Sequence, residues 1–161
     1  MSVQYFSGFE VIRAAMEVEK NGHRFYSGMA QRAVNPTVKE LFAMLAQDEV
    51  EHLRRLKGLE SKYTEGAFFE NEEEFLPYLQ RFRDSEIFPS EESLAGIIAG
   101  PALDLKALDL AIEAEEKFAA YFQTAADNAR DAGGKEAFRW LAGEEERHAA
   151  ILKERKQKVA G

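Results

Sequence analysis

The chain reads as an all-α protein, a four-helix bundle of two antiparallel hairpins joined by a long crossover. Three observations predict it. Strong helix formers fill long blocks between prolines and glycines, and β-branched runs are nearly absent. Inside those blocks apolar residues recur at spacings of three and four, the period of one helix face. Finally, the chain repeats itself at a shift of 96 residues.

The first helix is predicted from about Gly8 to Ala33, with the inward stripe Ile12, Ala15, Glu19, Gly22 and Tyr26. The second starts after Asn35-Pro36, where proline suits the first helical turn, and carries Val38, Leu41, Leu45, Glu49, His52, Leu56 and Leu59. The third spans about Pro101 to Asp131, with Leu105, Leu108, Ile112, Glu115, Phe122 and Ala126 inward and Gly133-Gly134 as its stop. The fourth runs to about Lys158 with Phe138, Leu141, Glu145, His148 and Leu152 inward.

Only a few residues separate helices one and two, or three and four, which makes antiparallel hairpins. The 61–100 segment between helices two and three is long enough to cross over the outside of the bundle. It is expected to include a short amphipathic helix around Glu72 to Phe82, its run Glu72-Glu73-Glu74 being a solvated helix start. A single domain, 1–161, is expected, its repeat halves being about 8–60 and 104–158.

At 161 residues with 45% hydrophobic and 11% aromatic content, the chain can bury a core of its own. Its 29 acidic residues outnumber 21 basic ones without any basic cluster, which argues against nucleic acid as a partner. No cysteine is present, so disulfides, thiolate metal sites and a cysteine nucleophile are excluded. The start lacks a signal-peptide pattern, and Pro101, Asp104, Lys106 and Asp109 interrupt the most apolar later stretch, so a cytoplasmic location and no membrane association are expected.

The chemistry lies in the repeat. "LAQDEVEHL" (Leu45–Leu53) matches "LAGEEERHA" (Leu141–Ala149), so Glu49 maps to Glu145 and His52 to His148, while Glu19 maps to Glu115. Carboxylates and imidazoles thus stand on apolar stripes where leucines belong, and a buried carboxylate is costly without a partner. A lone Glu-x-x-His is weak evidence, and a buried ion-pair network is the other reading. Two copies, each with its Glu 30 residues upstream, are the ligand set of a di-iron or di-manganese carboxylate centre. Oxygen and nitrogen donors without sulfur suit iron or manganese, with zinc also possible.

At "VEKNGHRFY", "LAQDEVEHLRRL", "AIEAEEKFAAYF" and "LAGEEERHAAIL" the sequence resembles the ferritin-like diiron domain of the rubrerythrin family, over essentially the whole chain. The resemblance implies two iron ions held by Glu19, Glu49, His52, Glu115, Glu145 and His148, with Tyr26 hydrogen-bonded to one carboxylate. It implies an oxidoreductase that oxidises Fe(II) with peroxide or dioxygen. A non-catalytic iron-binding or iron-buffering role is the alternative.

The pattern departs from the family twice. No cysteine-rich module is present, so an external electron donor such as a rubredoxin-like protein is expected. Phe118 stands where the family places an extra glutamate, which brings the set closer to a symmetric ferroxidase-type site. His23, one turn beyond Glu19, is read as a partly exposed helix histidine rather than a seventh ligand. Glu17, Glu51, Glu113, Glu116, Glu144 and Glu146 are read as solvated, and Trp140 as core or subunit contact. A homodimer is expected, with Phe68, Phe69 and Phe75 as candidate contacts.

Overall fold

A computed structural model describes residues 8–60 and 101–160. Four helices account for nearly all of them: α1 (Gly8–Arg32), α2 (Pro36–Glu60), α3 (Pro101–Asn128) and α4 (Ala132–Ala160). Helices α1 and α2 pack as one hairpin, α3 and α4 as the other. The expected crossover, its short helix and the aromatic dimer contacts fall in 61–100, outside the described residues. No helix among the described residues is long and apolar enough to cross a membrane.

Local chemistry sets the helix ends. Asn35 caps α2, its side-chain oxygen accepting from the Thr37 amide at 2.9 Å, and Pro36 follows at the first helical position. The second turn differs from the sequence reading. Gly133-Gly134 does not stop α3; it lies in the first turn of α4, where Asp131 accepts from the Gly134 amide at 2.9 Å. An acidic N-cap competes well with a glycine pair for the helix start.

The expected stripes of α1, α2 and α4 are buried throughout. On α3 Leu108, Glu115, Phe122 and Ala126 are buried as expected, joined by Ala107, Ala111, Ala114 and Phe118, whereas Leu105 and Ile112 lie half-buried at the edge. The core continues into two aromatic groups. Phe25, Tyr26 and Phe42 pack within the first hairpin at centroid separations of 5.3 to 6.3 Å. Phe118, Tyr121, Phe122 and Phe138 do the same in the second at 4.3 to 6.0 Å.

Polar contacts join the hairpins. The Tyr121 hydroxyl on α3 donates to the Val11 carbonyl of α1 at 2.8 Å. Asp104, buried on α3, accepts from the Val34 amide at 2.9 Å and from the Asn35 amide at 2.8 Å, gripping the loop between α1 and α2.

Candidate metal centre

Each hairpin delivers one Glu from its first helix and a Glu-x-x-His from its second, because positions three apart share a helix face. All six predicted residues, Glu19, Glu49, His52, Glu115, Glu145 and His148, are brought together in the bundle interior, none more than 1% exposed. They form two overlapping groups. Glu19, Glu49, His52 and Glu145 each offer one ligand atom within 4.8 Å of the others, and so do Glu49, Glu115, Glu145 and His148. Glu49 and Glu145 belong to both.

His52 Nδ1 lies 2.8 Å from Glu145 and 3.3 Å from Glu19, whereas His148 Nδ1 lies 3.3 Å from Glu115, 3.5 Å from Glu49 and 3.6 Å from Glu145. The two imidazoles stack at 5.3 Å between centroids. Tyr26, fully buried, donates its hydroxyl to Glu115 Oε1 at 2.5 Å.

Electrostatically the cluster is far from neutral equilibrium. Burial, then the charge of Glu145, pushes the Glu19 and Glu115 carboxyls up, and burial with the charge of Glu19 does the same to Glu49. Burial would also raise Glu145, but its close polar contacts with Glu115, His148 and His52 outweigh it and hold Glu145 well below the usual carboxylate range. Burial opposes the charging of His52 and His148, yet their carboxylate neighbours raise both. Nine buried oxygens and nitrogens, all on Glu19, Glu49, His52, Glu115 and Glu145, make no hydrogen bond of good geometry. Polar atoms left so are normally rare and costly, and cations set between them satisfy them all at once, so this donor set fits a pair of metal ions.

An outer layer was missed by the sequence reading. Asp48 holds His148 Nε2 at 3.0 Å, and Glu144 stands 3.8 Å from His52 Nε2. Each is the acid just before a ligand glutamate, and each faces the histidine of the opposite hairpin. Glu144, taken as solvated, is 24% exposed and accepts from Arg147 Nε at 2.9 Å; Arg147 also donates to Asp48 at 3.0 Å. The signal that could have found the pair is the acid at matching places in both repeats.

The remaining residues sort plainly. His23 stands outside both groups, half-buried, with Nδ1 3.1 Å from the Ala46 carbonyl. Phe118 is fully buried, 4.3 Å from the Phe122 ring. Trp140, half-buried, meets His52 edge-on at 5.6 Å and carries the Arg55 guanidinium over its ring at 4.0 Å. With Asp48, Glu51 and Glu144 these residues line an open pocket of about 480 Å³ whose floor is His52.

This architecture has relatives. A putative ferritin-like diiron-carboxylate protein from Thermotoga maritima superposes with a TM-score of 0.71 at 19% identity, over 97% of this chain and 98% of that one. A hypothetical protein from Pyrococcus furiosus does so with a TM-score of 0.70 at 21% identity, over 96% and 91%. The first of these likenesses establishes the ferritin-like fold. No curated protein matches the sequence significantly. The sequence model of the Rubrerythrin family, in contrast, matches residues 4–98 and 106–161, nearly the whole chain, and the chain therefore belongs to the rubrerythrin family.

Proposed function

We propose that the chain binds two iron ions and acts as an oxidoreductase, coupling the oxidation of Fe(II) to the reduction of peroxide or dioxygen. The observation that carries this is the pair of overlapping ligand groups sharing Glu49 and Glu145. Glu19, Glu49, His52 and Glu145 would hold one ion, and Glu49, Glu115, Glu145 and His148 the other. If bound, two iron ions would supply the electrons for reducing the oxidant; manganese or zinc suits the same donors, but zinc has no redox chemistry and would not support that reaction.

The chain's own residues supply the rest. Burial of all six ligands keeps bulk water from the reacting atoms. With an ion bound, Asp48 would accept from His148 Nε2–H and so leave Nδ1 to face the ion among Glu49, Glu115 and Glu145. Tyr26 holds Glu115 in place and keeps a proton on its hydroxyl, because burial and then the Glu115 charge push the phenol up. No cysteine is available for an iron–sulfur relay, so electrons for repeated turnover arrive from a donor outside these 161 residues.

The test is an anaerobic Fe(II) titration followed by stopped-flow mixing with peroxide or with dioxygen. Two ions per chain, and oxidation faster than that of free Fe(II), are expected. Two ions with no acceleration would leave an iron-binding or buffering protein, and fewer than two would reject the paired centre.

A further inference from the structure

The sequence repeat makes the two ends of the metal centre look interchangeable, and the structure shows that they are built differently. At the Glu115–His148 end both ligands are braced: Tyr26 donates to Glu115 at 2.5 Å, and Asp48 holds His148 Nε2 at 3.0 Å. At the Glu19–His52 end neither is. The residue equivalent to Tyr26 at a shift of 96 is Phe122, which carries no hydroxyl. Among the described residues no donor makes a hydrogen bond to either oxygen of Glu19. Glu144, the counterpart of Asp48, stands 3.8 Å from His52 Nε2, beyond hydrogen-bond reach. Arg147 bonds both acids, Asp48 at 3.0 Å and Glu144 at 2.9 Å, so the difference between the ends lies in their distances to the histidines and in the tyrosine. His52 is also the ligand that floors the open pocket beside Trp140.

A ligand already fixed by its neighbours gives up less freedom on binding, and outer partners of this kind are worth about 10- to 100-fold in metal affinity. Resting on the metal-centre reading above, we infer that the two ion sites are unequal. The Glu115–His148 site fills first and holds its divalent ion tightly. The Glu19–His52 site is the exchangeable one, loaded and emptied through the Trp140 pocket, and the Tyr26/Phe122 difference is a principal cause of the order.

Zn(II) titration of the metal-free full chain tests this without any turnover. The chain has only three histidines and one tryptophan. Ring-nitrogen NMR therefore resolves His148 from His52, and Trp140 emission reports on its neighbour His52. The first equivalent of Zn(II) is expected to shift His148 alone; His52 and the Trp140 emission follow with the second. Chelator should remove the second ion at least 10-fold more readily than the first. In Tyr26→Phe the order should be lost, and in Tyr26→Phe/Phe122→Tyr it should reverse. Simultaneous response of both histidines, or His52 first, would overturn the inequality while leaving the centre intact. An unchanged order in a folded Tyr26→Phe would remove Tyr26 as its cause. No response of either histidine would sink the metal-centre reading and this inference with it.

Discussion

Asp48 and Glu144 show what a single sequence hides about a residue. Both look like members of a solvated acidic face, because their neighbours in the chain are the ligands and the helix turns them aside. Only the opposite hairpin reveals that each points toward the other hairpin's histidine. The six inward residues, by contrast, were legible because burying a carboxylate or an imidazole on an apolar stripe breaks a strong rule, and breaking it twice at one offset is hard to reach by chance. Asp48→Asn keeps the shape of the side chain and removes its charge, which lowers the basicity of His148. Metal affinity should fall about 10- to 100-fold, measured by chelator competition, with the helical content unchanged. Glu145→Ala is expected to do more, since Glu145 belongs to both ligand groups. Elemental analysis should find no more than one ion per chain in that variant, and two ions would contradict the shared role.

At the scale of helices, the four segments and their hairpin pairing were readable from prolines, caps and period. The width of the buried face of α3 was not, because Ala107, Ala111 and Ala114 are weak hydrophobic signals beside the more apolar Leu105 and Ile112. Nor could Asp104 be understood from α3 alone, where it looks like an interruption of an apolar run. Its meaning lies in the loop of the other hairpin, whose Val34 and Asn35 amides it satisfies. Removing a buried charged acceptor from part-buried amides costs about 2 kcal/mol, so Asp104→Ala should lower the unfolding temperature by about 5 °C without altering metal stoichiometry. Differential scanning calorimetry of metal-loaded and metal-free protein would reveal an unchanged Tm if the grip is dispensable.

For the molecule as a whole, the cluster makes stability depend on pH in a direction opposite to that of most proteins. In the metal-free chain Glu19, Glu49 and Glu115 have folded values above the ordinary 4.5, and His52 and His148 have folded values above 6.5. The native state then binds more protons than the unfolded one above about pH 4.5, so stability falls as pH rises through these windows. Glu145, held low, acts the other way, with a contribution present above 4.5 and lost on acidification, but it is one group against five. Thermal unfolding in chelator should therefore give a higher Tm near pH 5.5 than near pH 8. Bound metal requires deprotonated ligands, so added divalent ions should stabilise more at pH 8 than at pH 5.5. A metal-free Tm that climbs with pH would contradict the charge assignment.

The hairpin origin of the ligands makes the centre divisible. Residues 8–60 carry Glu19, Glu49 and His52, and residues 101–160 carry Glu115, Glu145 and His148, the same set twice. Two copies of the first segment laid together about a twofold axis would supply six ligands again. Each Tyr26 would then meet the glutamate that stands in for Glu115, and both ends would be braced. Two copies of the second segment, with Phe122 in place of the phenol, would lack that tyrosine brace at either end. The contrast between a firm end and a loose end therefore belongs to neither half by itself; it arises because two unlike halves are joined in one chain.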